Sequence, residues 1–201
     1  MGKEEIDDGE LSLPGYTLFR KDRDDGRKGG GVLLYVDSRL KVTEREDLIS
    51  TGFKECIWCE VQLDKLKTVI GICYRPPDST EEADEGLIEI INKAAADTCL
   101  IMGDFNLPEV AWNFYSAPAN VIYDSLLDFV NEYGLTRFVT EPTRIGKSGC
   151  ENILDLVFSN SDVAISDVFT IAEISRPIPT PTPAVSIIAQ NCGIPPSSPG
   201  I

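Results

Sequence analysis

Short apolar runs of strand length alternate along the chain with stretches in which apolar residues recur three or four apart. Gly31-Val-Leu-Leu-Tyr-Val36 is rich in β-branched and aromatic residues, and residues 16–19 form a shorter run before a charged, Gly-rich turn at 20–31. Residues 56–63 and 68–74 predict two further strands joined by a polar turn at 64–67. Arg75-Pro76-Pro77 stops the second, because proline cannot donate to a ladder and restricts the residue before it. A helix follows. Ser79 with Glu82 reads as a capping box, and Glu81, Glu82, Asp84 and Glu85 suit the positive end of a helix dipole. Leu87, Ile90, Ile91, Ala94 and Ala95 then recur at helical spacing. Residues 99–102 predict a buried strand. A second helix runs from about 121 to 133 on the stripe Ile122, Leu126, Phe129, Val130 and Tyr133, with Gly134 as its stop. Residues 153–158 predict another strand. Strands and helices interleave without an internal repeat, which places the chain in the α+β or α/β class.

The two ends differ from this middle. Residues 1–12 are polar and acidic and predict a loosely ordered N-terminus. From Pro177 onward the chain has no charged residue and carries seven of its 13 prolines. The Pro-Thr-Pro-Thr-Pro run at 179–183 can build neither ladder nor helix, so residues 171–201 predict a disordered tail, incidental or a ligand for a proline-binding partner. One domain is expected between them, over 13–170.

Composition narrows the chemistry. With 201 residues and 42% hydrophobic content, the chain can bury a real core. No apolar run approaches the ~20 residues that span a bilayer. Residues 1–10 have no apolar signal region, so the expected compartment is intracellular, nuclear or cytoplasmic. The net charge of −15 requires any contact with nucleic acid to run through a localised basic patch or to be weak. The six cysteines read as buried thiols, and Cys56 and Cys59, three apart in a strand, face opposite sides and do not read as a zinc pair. Gly29-Gly30-Gly31 precedes a strand, which makes it a turn and not a nucleotide-binding loop. The chain contains no histidine.

Asp104 and Asn106 stand where a buried strand ends. If the extended geometry persists, residues two apart converge on one side, and a carboxylate beside an amide suits activation of a water at a phosphodiester. Gly, Asp and Asn are also turn formers, and on these letters alone the turn reading leads. A lone acid at Asp155, inside an apolar strand, is costly to bury without a partner.

Several motifs in order carry a resemblance. Gly103-Asp-Phe-Asn-Leu-Pro-Glu-Val-Ala-Trp112 closely resembles the core motif of the endonuclease domain of non-LTR (LINE-type) retrotransposons, within the endonuclease/exonuclease/phosphatase superfamily. Gly15-Tyr-Thr-Leu-Phe-Arg-Lys-Asp-Arg23 with Gly29-Gly-Gly-Val-Leu-Leu-Tyr-Val36, Cys73-Tyr-Arg-Pro-Pro77, the 134–144 segment and Asn152-Ile-Leu-Asp-Leu-Val-Phe158 are similar to further segments in that family's order. The resemblance covers roughly residues 10–165. It implies a partial DNase I-like four-layered sandwich, two packed and mostly antiparallel sheets flanked by helices. It also implies Mg²⁺-dependent hydrolysis of DNA. Asp104 would orient or activate water, Asn106 would contact the scissile phosphate, and Tyr74 would bring a phenol near it. Asp155 would hold a catalytic histidine in one tautomer. Arg20, Arg23 and Arg75 are the possible DNA contacts, although the basic cluster at 20–28, interleaved with Asp22, Asp24 and Asp25, reads first as a solvated loop.

The chain departs from that family's pattern at both ends. The family's upstream asparagine and metal-binding glutamate have no counterpart before Gly15, and Glu4, Glu5 and Glu10 lie in polar sequence that forms no strand. The family's Ser-Asp-His strand is represented by Ser166-Asp167-Val168. The expectation is a domain truncated at both ends and inactive or severely impaired. The alternative is a non-catalytic retroelement fragment, or an interaction protein using its tail.

Overall fold

The computed structural model describes residues 7–23, 31–63, 66–145 and 149–161, and the backbone of Ile187–Asn191. Six strands build the larger sheet, in the order β3 (Val42–Glu44), β4 (Cys56–Leu63), β5 (Leu66–Tyr74), β6 (Cys99–Asp104), β10 (Asp155–Ser159) and β7 (Thr136–Arg137). Only β5 and β6 run parallel among these; the other ladders are antiparallel. The parallel pair needs a crossover, and α2 (Glu81–Ala95) supplies it. A second helix, α3 (Val121–Glu132), follows β6 and is stopped by Gly134 at φ 59°. A smaller sheet has the order β1 (Tyr16–Lys21), β2 (Val32–Asp37) and β11 (Ile187–Asn191), and β8 (Arg144–Ile145) pairs with β9 (Glu151–Asn152) as a hairpin.

The two faces of the larger sheet are buried separately. Side chains alternate across a strand, so Trp58, Val69, Cys73, Ile101, Leu156 and Phe158 meet α2 and α3 on one side. Ile57, Cys59, Ile70, Ile72 and Met102 meet Val32, Leu34 and Val36 of the smaller sheet on the other. Burial on both faces explains why these strands read as near-continuous apolar runs. On the outer side of β2, Tyr35 donates its hydroxyl hydrogen to the Leu11 carbonyl at 2.8 Å, which holds α1 (Asp8–Leu11). Packed, mostly antiparallel sheets with helices on the outside are the α+β sandwich that the sequence predicts.

Three local expectations are corrected. The N-terminus has an ordered turn at Asp8–Leu11, because Asp7 accepts from the Gly9 N–H at 2.7 Å. The cap of α2 is Thr80, whose hydroxyl accepts from the Ala83 N–H; the Ser79 N–H still bonds the Pro76 carbonyl, so the turn after the prolines runs one residue further. The strand predicted from residue 153 begins at Asp155. Within the expected tail, the backbone of Ile187–Asn191 is described and pairs with an edge of β2. The run at 179–183 lies outside the described residues, as do residues 24–30 and 162–186.

Candidate functional site

Three adjacent strands bring three of the predicted residues into one row. Tyr74, the last residue of β5, is level with Asp104, the last residue of β6. Asp104 is level with Asp155, the first residue of β10. Because the Phe105 N–H donates to the Leu154 carbonyl at 2.9 Å, the neighbouring pair 104/155 is of the non-hydrogen-bonded kind, in which facing side chains approach most closely. The row continues the face that carries Ile72, Met102 and Val157, so it lies at the rim of the core between the two sheets.

The Gly-Asp-Phe-Asn segment supplies anchors as well as chemistry. Gly103 has φ 145°, and a Cβ there would overlap the Cys73 carbonyl of β5. Phe105 is buried and stacks edge-on against Phe158, with ring centroids 6.1 Å apart. Leu107, Val110 and Trp112 continue into the helix-side core. These apolar positions bolt the loop down directly after the carboxylate.

Asn106 does not extend the strand. It is 8% exposed with φ 48°; its N–H donates to Asp104 Oδ1 at 3.0 Å and its side-chain Nδ2 donates to the Arg75 carbonyl at 3.0 Å. The expected convergence of a carboxylate and an amide two residues apart therefore becomes a turn in which Asn106 braces Asp104. The turn reading holds.

The electrostatics follow from this packing. Burial, and secondarily the Asp155 charge, push the Asp104 carboxyl up to about 6, against the bond from Asn106 and the more distant Arg144 guanidinium. Burial also raises Asp155, opposed first by the Thr143 hydroxyl and then by Arg144. Thr143 Oγ1 accepts the N–H groups of Leu154 at 3.0 Å and Asp155 at 3.1 Å, fixing the start of β10. Tyr74 is raised, first by burial, with the guanidinium of Arg23 opposing from 5.5 Å over the ring. Its phenol is neutral near pH 7 and able to donate.

The three arginines expected at DNA fare differently. Arg20 pairs with Asp8 at 2.9 Å and Asp22 at 2.8 Å at the surface. Arg23 is largely buried between Tyr74 and Glu55, which it meets at 2.7 Å. Arg75 is 7% exposed, its guanidinium forked onto Asp84 and its Nη1 donating to the Asn106 carbonyl, so it faces the interior and not a ligand. Sequence reasoning took Asp84 for a helix-dipole acid and missed that pairing; an arginine directly before two prolines, followed by an acidic first helical turn, was the available signal. Thr143, Arg144 and Glu55 were also missed, since their roles come from strands far apart in the chain. A cavity of about 190 Å³ includes Arg23, Glu55, Ser79 and Thr80 and excludes the carboxylate row.

The row is where the expected Mg²⁺ would sit. A divalent cation of this kind takes hard oxygen ligands. Asp104 and Asp155 supply two carboxylates, but among the described residues no three acidic or cysteine side chains gather in a metal-holding group. Such an ion also takes water and phosphate oxygens, so these two carboxylates are the part of its shell that the row could supply. Among the described residues no helix is long and apolar enough to cross a membrane.

Comparison with known proteins places the chain. The family model described as endonuclease-reverse transcriptase matches residues 68–176, more than half of the chain, and includes the whole row. Among solved structures, the endonuclease domain of TRAS1, a telomere-specific non-LTR retrotransposon, is similar at 18% identity and a TM-score of 0.54, over 75% of this chain and 69% of that one. An endonuclease/exonuclease/phosphatase family protein from Bacteroides thetaiotaomicron matches at 18% identity and a TM-score of 0.49, over 76% of this chain and 62% of that one. A mannosyl-6-phosphatase from the same organism matches at 16% identity and a TM-score of 0.49, over 76% and 65%. The chain thus spans about two thirds of the length of the structures it matches. No curated protein matches it in sequence.

Proposed function

Since the chain belongs to the endonuclease-reverse transcriptase family, we propose that the row Tyr74–Asp104–Asp155 is a DNA phosphodiesterase site of retroelement descent whose hydrolytic step is severely impaired. The observation that carries this reading is the level placement of the three residues at the ends of adjacent strands. Hydrolysis forms a bond from a water oxygen to phosphorus and breaks the bond to a sugar oxygen. The water must lose a proton and the leaving oxygen must be stabilised. Asp104, titrating near 6, is ionised at neutral pH and is the proton acceptor within this row. Tyr74 donates its phenolic hydrogen to a phosphoryl oxygen. Asp155 is the weak point. The family's Asp at this place orients an imidazole, and none of the 201 residues is a histidine. Without that partner Asp155 adds a like charge beside Asp104, where the phosphate will bring more.

The ancestral reaction is Mg²⁺-dependent, and Asp104 and Asp155 are the two carboxylates that would face such an ion and let it stabilise charge on the phosphate. The substrate is DNA, held weakly by a chain of net charge −15. The rival reading, a fragment with no turnover that acts only through contacts, is favoured by the same charge. Incubation with supercoiled plasmid and Mg²⁺ separates them. Slow nicking that disappears in Asp104→Ala supports the impaired site. Nicking as fast as that of the TRAS1 endonuclease domain in parallel overturns the impairment, and none above the Asp104→Ala background leaves the fragment.

A further inference from the structure

Arg75 and Asp84 are joined to the site by a closed set of bonds. The buried guanidinium meets Asp84 twice, Nε to Oδ1 at 2.7 Å and Nη2 to Oδ2 at 2.8 Å. Asp84 belongs to the first turn of α2. Nη1 points the other way and donates to the Asn106 carbonyl at 3.2 Å. Asn106 returns the contact through Nδ2 to the Arg75 carbonyl at 3.0 Å. The Arg75 N–H donates to the Asp104 carbonyl at 2.8 Å, and the Asn106 N–H donates to Asp104 Oδ1 at 3.0 Å. Helix, strand end and carboxylate are thereby linked through one side chain.

Stability does not explain this arrangement. Desolvation offsets most of the attraction in a buried ion pair, and apolar residues of similar volume fill such a space as well or better. An apolar pair has no means of holding the carbonyl of residue 106. That residue has φ 48°, in the left-handed region, which asparagine tolerates better than other non-glycine residues, and here both its carbonyl and its side-chain amide are tied to Arg75. Arginine, with a planar fork of five donors, reaches the carboxylate and the carbonyl together; lysine, a single ammonium, reaches one.

We propose that Arg75 and Asp84 are positioning residues for the water-activating carboxylate. They lock Asn106 in its left-handed turn, so that its N–H stays on Asp104 Oδ1 and holds that carboxylate in one orientation. This assignment rests on the reading of Asp104 given above, and its test does not depend on turnover. The other groups that act on Asp104 are Asp155 on β10, Arg144 on β8 and Tyr74 on β5, and all remain in the variants used.

The experiment is NMR on the full chain labelled with ¹³C and ¹⁵N, comparing wild type, R75K and R75M/D84L. Two signals are read: exchange of the Asn106 side-chain amide hydrogens and the pH midpoint of the Asp104 carboxyl. In a folded R75M/D84L protein, Asn106 exchange is expected to quicken by about tenfold or more as its bond to the Arg75 carbonyl loosens. The Asp104 midpoint is expected to move upward from about 6, because a lost N–H bond no longer favours the charged form. R75K is expected to move both signals the same way by less. If the folded double variant keeps both signals at their wild-type values, the pair is only structural and the proposal fails. Should the double variant not fold, R75K decides on the same two signals. Failure of wild-type plasmid nicking would instead overturn the phosphodiesterase reading and leave these signals unchanged.

Discussion

At position 103 the backbone runs against the Cys73 carbonyl with φ 145°, so a Cβ would meet that oxygen whatever the rotamer. Gly103→Ala is expected to cost about 3 kcal/mol or more, since neither backbone can yield without breaking the β5–β6 ladder; denaturant unfolding measures it. One residue on, Asp104 has its folded pKa raised to about 6 from 3.8. A raised carboxyl pKa means that the folded state holds the proton more tightly than the unfolded chain. That contribution is fully present below about 4 and is lost as pH rises through about 6. Asp155, raised in the same direction by burial, adds to the loss. Asp155→Asn is therefore expected to lower the Asp104 midpoint while leaving it above an ordinary carboxyl, because burial is the larger cause. It is also expected to narrow the gap in melting temperature between pH 4 and pH 7. A midpoint that stays at about 6 would show that the two acids do not face each other.

At the scale of elements, legibility followed burial. β2, β4, β5 and β6 were readable because both faces are covered and their apolar runs are continuous. Helices α2 and α3 were readable from one apolar stripe each. The strands β3, β7, β8 and β9 have two or three residues and owe their pairing to neighbours, so no local pattern marks them. β11 was hidden for another reason, since it lies among prolines and pairs with a strand some 150 residues earlier in the chain. Tyr74, Asp104 and Asp155 were legible as motif residues, and the strand register sets them level with one another. The bend at Asn106 and the hold of Asp84 on Arg75 were not, because both come from contacts across the fold. Pairing of β11 makes Ile187–Asn191 a part of the smaller sheet. Deleting residues 187–201 is expected to open one edge of β2, lowering the melting temperature and promoting association of the protein, as light scattering will show. An unchanged melt would mean that this strand adds nothing to stability.

For the whole molecule, the sandwich sets the row at the rim of the intersheet core, where two acids are partly desolvated and both feel the opposing charge of the exposed Arg144. The net charge of −15 opposes the approach of a polyanion, so DNA binding is expected to be weakest at low salt, where that repulsion is least screened. Removing one member of a concerted catalytic set lowers rates by several powers of ten, and here no histidine completes the set. The most direct measurement is the rate of supercoiled-plasmid nicking under excess enzyme between pH 5 and 8, for wild type and Asp104→Ala. The expected result is a rate roughly a thousandfold or more below that of the TRAS1 endonuclease domain, rising as pH passes about 6 and absent in Asp104→Ala. A wild-type rate that matches that domain, or nicking indifferent to Asp104 and to pH, would contradict it.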